Sequence, residues 1–357
     1  TLETFVEHPI YLQILNYTHR CTYDRAWDEY TTIARGLILR DDGTVHARSM
    51  NKFFNLGESP GPSIENLPNE DPVITLKLDG FLGLTYWHRG AIKVASRGSF
   101  MSEYAVWATE WLRNSAPEID HILNRDLTYV FEIIYPHRRI VVDNTGKYGL
   151  TLLTVVHTDT GRELSRFEVA YAALINGWEV VPLYDTLSIN QCLEVAKLLK
   201  GTEQEGFVAH YPKAGLRVKI KGDDYSRIHR LVTRLTKRRV WEMIVSNGTE
   251  LEEITNGNIL PEEYSKWVTT TAAELWQAFT RLDMKSTSAA NVVYPKMGKP
   301  MGDERKAVVQ RLQQEFPGVF HEAMYLLDGR RDKAVDLLWK RLRPEHALPL
   351  IRDGEDE

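Results

Sequence analysis

The sequence predicts an α+β protein, in which a domain of mostly antiparallel sheets with flanking helices precedes an all-helical domain. Short β-rich runs fill the chain up to about residue 220, and turn signals such as Asp42-Gly43 separate them. After about residue 240, helical periodicity replaces the strand patterns. A chain of 357 residues is long enough for two domains. We therefore expect domains at residues 1–240 and 241–357.

The first domain contains runs of β-branched and aromatic residues that are typical of strands. In chain order, these runs are "ARGLILRDDGTVHARSM", "DPVITLKL", "LTYWHRGAIKVASRG", "LTYVFEIIY", "GLTLLTVVHTDTGREL", "EGFVAHYP" and "LRVKIK". Helices are expected over "SEYAVWATEWLRNS", after Ser102, and over "SINQCLEVAKLLKG", which opens on a Ser188 cap and closes on Gly201.

The second domain shows apolar residues at helical spacing. "PEEYSKWVTTTAAELWQAFTRLD" predicts one helix, and "HEAMYLLDGRRDKAVDLLWKRLRP" predicts two short helices broken at Gly329. The acidic end "RDGEDE" is expected to be disordered.

Composition favours a soluble cytoplasmic protein. Cys21 and Cys192 are the two cysteines, too few for a disulfide framework. No stretch approaches the roughly 18 to 20 apolar residues of a membrane span, and the first residues do not read as a signal peptide. We therefore expect no membrane partner.

One segment is strongly basic although the whole chain has a net charge of −5. Residues 217–239 contain nine Lys or Arg and two acidic residues, a local balance of +7. "DDYSRIHRLVTRLTKRRV" predicts one amphipathic helix with Arg227, Arg230, Arg234 and Arg238 on a single face. That stripe is either a solvated helix face or a track for a phosphate backbone.

Lys77 ends the β-rich run "VITLK" and is followed by Asp79 and Gly80. A lysine is a nucleophile when its amine is neutral, which desolvation and nearby cations favour. A glycine three residues later allows close approach of the backbone. On its own, however, Lys-x-Asp-Gly is also typical of a strand-end lysine that reaches solvent before an Asp-Gly turn.

The order of the downstream motifs favours the nucleophile. "SRG" (96–98), "FEII" (131–134), "EGFV" (205–208) and "RVKIK" (217–221) follow Lys77, all in strand-like contexts. In this order and at these separations they resemble the motifs of covalent nucleotidyltransferases, which comprise ATP-dependent DNA and RNA ligases and mRNA capping enzymes. The resemblance implies a nucleotidyltransferase domain, described as ATP-grasp-like, in the first part of the chain.

The motif residues suit transfer of AMP to a lysine. Lys219 and Lys221 alternate on a strand and so share a face, where two cations can meet one phosphate. Glu132 and Glu205 supply oxygen atoms for sugar hydroxyls or for Mg²⁺ or Mn²⁺, with Glu205 as a metal ligand through water. Taken singly, each glutamate is more typical of a surface residue and the Lys219/Lys221 pair of an exposed strand face, so the set as a whole carries the interpretation.

The segment from Ile33 to Glu58 narrows the resemblance. Its Arg-Gly pair, hairpin and "KFFNLGE" resemble bacteriophage-type RNA ligases of the RNA ligase 1 family, which repair nicked tRNA. The resemblance implies that Arg35 and Lys52 hold the β- and γ-phosphates of ATP and that Phe54 and Asn55 line the same pocket. Where such enzymes often carry a lysine, this chain has Arg97, which we expect on the ribose or the RNA end.

The resemblance implies an ATP-dependent RNA ligase that acts through lysyl-AMP and RNA-adenylate intermediates. We expect Lys77 as nucleophile, Lys219 on the α-phosphate, Lys221 on the developing charge, Glu132 on the ribose and Gly80 at a close backbone approach. The expected partner is RNA with 5′-phosphate and 3′-hydroxyl ends, with nicked tRNA as a candidate. A monomer is expected, in the host cytoplasm if a phage encodes it, with the helical domain contributing to RNA specificity.

Two alternatives stay open at this point. A DNA ligase or capping enzyme would carry a small β-barrel after Lys221, where this sequence predicts helices. A catalytically silent RNA-binding protein would use the basic helix and would form no covalent intermediate.

Overall fold

The computed structural model describes residues 2–7, 12–246, 248–256, 260–296 and 298–345. The strands are β1 (Leu2–Glu7), β2 (Leu12–Tyr17), β3 (Arg35–Arg40), β4 (Val45–Ala47), β5 (Phe54–Asn55), β6 (Val73–Lys77), β7 (Phe81–His88), β8 (Ala91–Ser96), β9 (Leu127–Ile134), β10 (Gly149–His157), β11 (Glu179–Val180), β12 (Gly206–Tyr211) and β13 (Leu216–Lys221). The helices are α1 (His19–Asp24), α2 (Glu29–Ile33), α3 (Glu103–Ser115), α4 (Ile119–Ile122), α5 (Arg166–Asn176), α6 (Ile189–Leu198), α7 (Asp223–Thr233), α8 (Lys237–Val245), α9 (Thr249–Asn256), α10 (Glu262–Val293), α11 (Gly302–Glu315), α12 (Phe320–Leu327) and α13 (Arg331–Arg341). The predicted α+β class is confirmed.

The chain divides into two compact units, one up to Leu231 and the other from Val232. The division falls inside α7, whereas the sequence prediction set the boundary after residue 240. Every strand among the described residues belongs to the first unit, and the described part of the second unit contains helices without strands.

Three sheets build the first unit. Their strand orders are β1-β2-β3-β4, β11-β10-β9-β7-β8 and β5-β13-β12-β6. All pairs are antiparallel except β10 with β11 and β13 with β5. The third sheet matters most for the site because it carries Lys77 at the end of β6 and the "RVKIK" motif on β13.

The two faces of the third sheet differ in polarity. Residues of one face pack with α6 into an apolar core, which includes Ile74, Phe207, Ala209, Val218, Ile220, Cys192 and Ala196. Because side chains alternate along a strand, the lysines of "RVKIK" and Lys77 belong to the other face. Burial of the apolar face thus fixes which residues face the candidate site.

Two predicted helices of this unit are confirmed, whereas the short helices α1, α2 and α4 and the longer α5 were missed. Ser102 and Ser188 cap α3 and α6 through their side chains, although α6 ends at Leu198 and not near Gly201. The longest of the missed helices, α5, has a capping box at Ser165 and a left-handed glycine at its end. Its apolar residues fall on exposed as well as buried faces, so it lacks the one-sided stripe that identifies a helix in sequence.

The predicted single basic helix after the "RVKIK" motif is wrong. The chain forms two helices, α7 and α8, with an interruption between Thr233 and Lys237, and Thr236 caps the second one. The four arginines are therefore not in one helical register. Arg227 pairs with Asp224, and Arg238 pairs with Glu242. The helical register that the sequence analysis gave to all four arginines is thus interrupted after Arg230.

The helical unit follows the predicted pattern. The first predicted helix extends as α10 over 32 residues, and α12 and α13 flank Gly329, which has a φ of +72°. An aromatic cluster of Trp276, Phe279 and Trp339 joins α10 and α13. No helix in the described ranges has the length and apolarity to cross a membrane. The acidic end lies outside the described residues.

Candidate active site

Lys77 ends β6 and forms an ion pair with a buried carboxylate. Its Nζ lies 2.8 Å from Oε2 of Glu205, and its side chain is 16% exposed. Glu205, which is 2% exposed, also lies 3.3 Å from Nζ of Lys221 through Oε1. Burial would raise the pKa of Glu205, but Lys77 and Lys221 outweigh burial and hold that pKa below its usual range. The sequence analysis expected desolvation and nearby cations at Lys77, and it did not foresee this contact with Glu205.

Strand register explains how these residues meet. Gly206 on β12 lies opposite both Lys77 and Lys221, and Glu205 immediately precedes it. Lys219 lies two residue pairs further along, opposite Val208, and is 5% exposed. The alternation inferred from "RVKIK" thus brings Lys219 and Lys221 to the same face as Lys77.

Asp79 anchors the backbone that follows Lys77, a role that the sequence analysis missed. Its Oδ2 accepts hydrogen bonds from the backbone N–H groups of Val141 and Val142, and its Oδ1 accepts one from the Tyr225 hydroxyl at 2.6 Å. Asp79 therefore does not serve a simple Asp-Gly hairpin turn. Burial, followed by the nearby Glu205 charge, raises the pKa of this carboxyl group. The Lys-x-Asp-Gly spacing was the sequence signal that could have pointed to this anchoring role of Asp79.

Glu132 and Gly80 are in direct contact. The backbone N–H of Gly80 donates to Oε1 of Glu132 at 3.0 Å. Burial raises the pKa of Glu132 to about 7, against a lowering influence of Lys77 and a raising one of Glu205. A Cβ at Gly80 would lie 2.5 Å from the carbonyl oxygen of Ile133. The glycine is therefore required by packing against β9, in addition to any approach of a nucleotide.

Three cationic side chains converge near Tyr17, another residue that the sequence analysis missed. Arg97 donates to the Tyr17 hydroxyl at 3.0 Å, and Lys52 Nζ lies 5.2 Å from the Tyr17 ring centroid. Burial would raise the pKa of Tyr17, but Lys52, Arg97 and Arg35 outweigh it and lower that pKa. The predicted phosphate-binding residues thus create a strongly positive region.

Phe53, rather than Phe54, lies on the cavity wall. Arg35, Arg217 and Lys219 surround the Phe53 ring at 5.3 to 5.7 Å from its centroid. Phe54 packs edge-on against Trp27 at 5.1 Å, and Lys52 lies over it. The Asn55 amide donates to Glu58. Neither Phe54 nor Asn55 lines the cavity beside Lys77, and their place in a triphosphate pocket with Arg35 and Lys52 stays a prediction.

One cavity connects many of these residues. It holds about 1250 Å³ of empty space, counting the solvent at its mouth. Six of the predicted residues line it: Arg35, Lys77, Gly80, Arg97, Glu132 and Lys219. Glu205 and Lys221 stand behind Lys77, joined to it by the ion pairs described above, and Lys52 lies beyond Tyr17.

The residues near Lys77 offer few donors for a metal ion. No group of three or more His, Cys, Asp or Glu side chains in the described part of the chain is arranged to hold one. Asp79 is occupied by backbone and Tyr225, which leaves Glu132 and Glu205. Mg²⁺ commonly binds through one or two carboxylates together with substrate phosphates and water. Two carboxylates beside a phosphate site fit such an ion.

Comparison with known proteins gives the family. Residues 33–225, more than half of the chain, match a family model described as RNA ligase. The chain belongs to the RNA ligase family. The matched range includes every predicted site residue of this family member, from Arg35 to Lys221, and confirms the resemblance inferred from the motif order.

Individual relatives of this RNA ligase family member are distant. A putative bifunctional polynucleotide kinase/RNA ligase of Autographa californica nuclear polyhedrosis virus is 26% identical over 274 residues, which cover 69% of this chain and 37% of the relative. A putative RNA ligase of Thermovibrio ammonificans is 29% identical, covering 54% of this chain and 51% of the relative. An RNA ligase of Rhodothermus phage RM378 is 23% identical, and the match covers 90% of this chain and 86% of the relative.

The match thus spans about a third to a half of the length of the first two relatives. Among solved structures, a mutant of the Naegleria gruberi RNA ligase with ATP and Mn matches with a TM-score of 0.39 and 23% identity, over 47% of this chain and 53% of that chain.

Proposed function

We propose that this protein is an ATP-dependent RNA ligase that joins 5′-phosphate and 3′-hydroxyl RNA ends through lysyl-AMP and RNA-adenylate intermediates. One observation carries the proposal. Lys77 and Lys221 flank the same buried carboxylate, Glu205, at the edge of a cavity lined by Arg35, Lys219 and other cationic groups. An amine nucleophile held beside several phosphate-binding cations suits attack on a nucleoside triphosphate. Membership of the RNA ligase family supports the same reaction.

In the first step, the deprotonated Lys77 amine attacks the α-phosphorus of ATP. A phosphorus–nitrogen bond forms, the bond to the bridging oxygen breaks, and pyrophosphate leaves with the electron pair. The hydrogen bond to Glu205 orients the amine. Lys219 and Lys221 neutralise charge on the α-phosphate, while Arg35 and Lys52 bind the β- and γ-phosphates. Arg97, beside Tyr17, contacts the ribose or the RNA end.

Glu132 binds the ribose in this proposal, because its carboxyl lies in the cavity wall beside Gly80. When bound, Mg²⁺ or Mn²⁺ near Glu132 and Glu205 would supply further charge neutralisation at the phosphates, with Glu205 acting through water.

The second and third steps reuse the same positions. A 5′-phosphate oxygen of RNA attacks the phosphorus of lysyl-AMP, and the Lys77 nitrogen leaves and takes up a proton. The 3′-hydroxyl of the other RNA end, after losing its proton, then attacks the activated 5′-phosphorus, and AMP leaves. Each attack is in line, so positioning and charge neutralisation supply most of the rate acceleration.

We also infer a role in RNA repair, with nicked tRNA as a candidate substrate and the helical unit contributing to RNA specificity. The reaction is placed in the cytoplasm, the host's if a phage encodes the protein, and a monomer is sufficient for it. The phage and viral relatives support this setting.

Labelling with α-³²P-ATP and a divalent metal, resolved on a denaturing gel, tests the proposal. Wild type should carry label, Lys77→Ala should carry none, and Lys93→Ala, a strand lysine on β8, should behave as wild type. Absence of label on wild type would favour a silent RNA-binding protein. Undiminished label on Lys77→Ala would place the nucleophile elsewhere.

Sealing assays distinguish an RNA ligase from a DNA ligase. Matched RNA and DNA strands with 5′-phosphate and 3′-hydroxyl ends should show sealing of RNA. Sealing of DNA alone would contradict an RNA ligase even if the lysyl-AMP forms.

A further inference from the structure

Helix α5 carries large apolar side chains on its solvent-exposed side. Phe167, Tyr171, Leu174 and Ile175 are 80%, 57%, 77% and 58% exposed, and Ala170 between them is exposed as well. Large apolar residues that are exposed singly are common on protein surfaces, whereas several together on one helix are typical of a contact surface. We call these five residues the α5 face.

The opposite side of α5 is apolar too. Val169 and Ala173 are buried there, where the helix packs against β10 and β11. Glu168 is the one charged residue in the segment "FEVAYAALI", and its carboxylate accepts hydrogen bonds from the backbone N–H and the hydroxyl of Ser165. A helix that is apolar on all sides is normally buried on all sides. The described part of the chain leaves the α5 face uncovered, so a second surface is needed to bury it.

The spacing within the α5 face is that of a helix–helix contact. Phe167, Ala170, Tyr171 and Leu174 stand at positions i, i+3, i+4 and i+7, which form one stripe along a helix. The stripe is symmetric about the midpoint between Ala170 and Tyr171, because Phe167 and Leu174 lie equally far from it in opposite directions. A contact between two identical surfaces about a two-fold axis requires such symmetry.

We propose that the α5 face binds the α5 face of a second copy of this chain, with the two helices antiparallel about a two-fold axis. In this arrangement, Phe167 of one copy lies opposite Leu174 of the partner subunit, and Tyr171 lies opposite Ala170 of the partner subunit. At the centre each large side chain thus meets a small one, as close packing of two helices requires. None of the paired residues is charged, which suits the centre of an interface.

The available area suits a weak dimer. A large aromatic side chain presents about 150–250 Å² when fully exposed. At the exposed fractions given above, the four large side chains offer roughly 500 Å² in each copy, or about 1,000 Å² for the pair, which is near the lower limit for a specific interface. We therefore expect a dissociation constant in the micromolar range, on the order of 10 μM.

The composition of the α5 face favours a second copy over RNA. Surfaces that bind nucleic acid are positively charged, whereas the segment "FEVAYAALI" has no Lys or Arg and its one charge is negative. Arg166, which precedes this segment, lies in the cavity wall and donates to the backbone carbonyl of Val181. The ligase reaction needs one copy of the chain, so the dimer goes beyond that reaction and does not depend on it.

Sedimentation velocity of the full chain, from about 1 μM to about 200 μM, tests the contact. The wild type should change from the mass of one chain to twice that mass over this range. Leu174→Glu places a charge at the contact and should raise the dissociation constant at least about a hundredfold. Because Leu174 is exposed in one copy, its circular dichroism spectrum and melting temperature at the lowest concentration should match those of the wild type.

Met284→Glu on α10 is the matched control. Met284 is 67% exposed on a helix and undergoes the same change from an apolar to an acidic side chain. This variant should retain the dissociation constant of the wild type. If circular dichroism shows that Leu174→Glu does not fold, Ala170→Arg takes its place, since it also adds a charge to an exposed position of the α5 face.

A mixture of two variants tests which residues pair. Phe167→Lys alone should weaken the dimer as Leu174→Glu does. Mixing the two variants should restore the dimer, because the introduced lysine then faces the introduced glutamate while the second pair, Leu174 with Phe167 of the partner subunit, stays apolar.

Three results would overturn the proposal. A wild type that stays monomeric at every concentration would show that RNA, a different protein or another part of this chain covers the α5 face. Undiminished dimerisation of the folded Leu174→Glu variant would place the contact elsewhere. A mixture that stays monomeric while the wild type dimerises would contradict the antiparallel pairing. Labelling of the same wild-type samples with ATP is independent, since its failure would refute the ligase reaction and leave the dimer standing.

Discussion

Two glutamates pair with cations at the cavity, Glu205 behind Lys77 and Glu163 in the cavity wall, and the two pairs differ in kind. Glu205 contacts two separate ammonium groups, those of Lys77 and Lys221, through one oxygen each. Glu163 is held by the fork of a single guanidinium, Arg217, and by a hydroxyl. Both carboxyl groups have a lowered pKa because these cations outweigh the effect of burial.

The two pairs differ in whether the carboxylate can exchange its cationic partner. Each ammonium is a point charge on a flexible stem, so in the proposed reaction it can exchange Glu205 for a phosphate oxygen. The planar guanidinium fixes its carboxylate in one orientation. In the proposed reaction, the reactive groups thus lie beside the exchangeable pair, whereas the Glu163–Arg217 pair stays fixed.

The largest expected effect comes from Lys77→Arg. Arginine retains the positive charge and can still pair with Glu205, but its guanidinium stays protonated and is no nucleophile. We expect complete loss of lysyl-AMP with little change in thermal stability. Intact-protein mass after incubation with ATP, beside a melting curve, measures both. An adduct on this variant would show that the exchangeable pair is not the reactive one.

Arg217→Met, which removes the cation paired with Glu163, should lower the free energy of unfolding. Removing one partner of a buried ion pair leaves the second charge uncompensated, which costs about 3–5 kcal/mol. Both side chains are less than one-fifth exposed, so screening by solvent is limited. Urea unfolding monitored by circular dichroism should give this loss. Arg311→Met, which breaks an exposed helical pair with Glu315, is the control and should cost less than about 1 kcal/mol.

Acid should release the same rigid pair. The pKa of Glu163 is about 2 in the folded protein, against an ordinary value of 4.5. Its contribution, about 3 kcal/mol, is fully present above pH 4.5 and is lost as the pH falls towards 2. Glu163→Gln should therefore flatten the pH dependence of unfolding in this interval. A wild-type slope in the variant would assign acid sensitivity to other carboxylates.

The smallest effect is expected at Glu132, which contacts Gly80 close to Lys77. Burial raises its pKa to about 7, so it gains its charge as the pH rises through neutrality. As a carboxylate it accepts a ribose hydroxyl more strongly, and the KM for ATP should fall a few-fold between pH 6 and 8, roughly. Glu132→Gln should remove this dependence. Dividing the pH profile of KM for the wild type by that for Glu132→Gln removes the contribution that protonation of Lys77 makes to both.

Local patterns predicted much of the fold. Alternating strands, the Ser102 and Ser188 caps and the break at Gly329 all follow from residue periodicity and terminal chemistry. The prediction failed where local signals were ambiguous. The apolar residues of α5 are spread around the helix, and the continuous basic pattern concealed the interruption before the Thr236 cap.

The sequence by itself determined the order of the motifs, and with it the family and Lys77 as the candidate nucleophile, because residue identity and spacing along the chain are sufficient for both. Tertiary structure decided the partners. Glu205 meets Lys77 across 128 residues, and Glu163 meets Arg217 across 54. Such pairings depend on strand register and on which face of each sheet is buried, and these are set by packing across the whole unit.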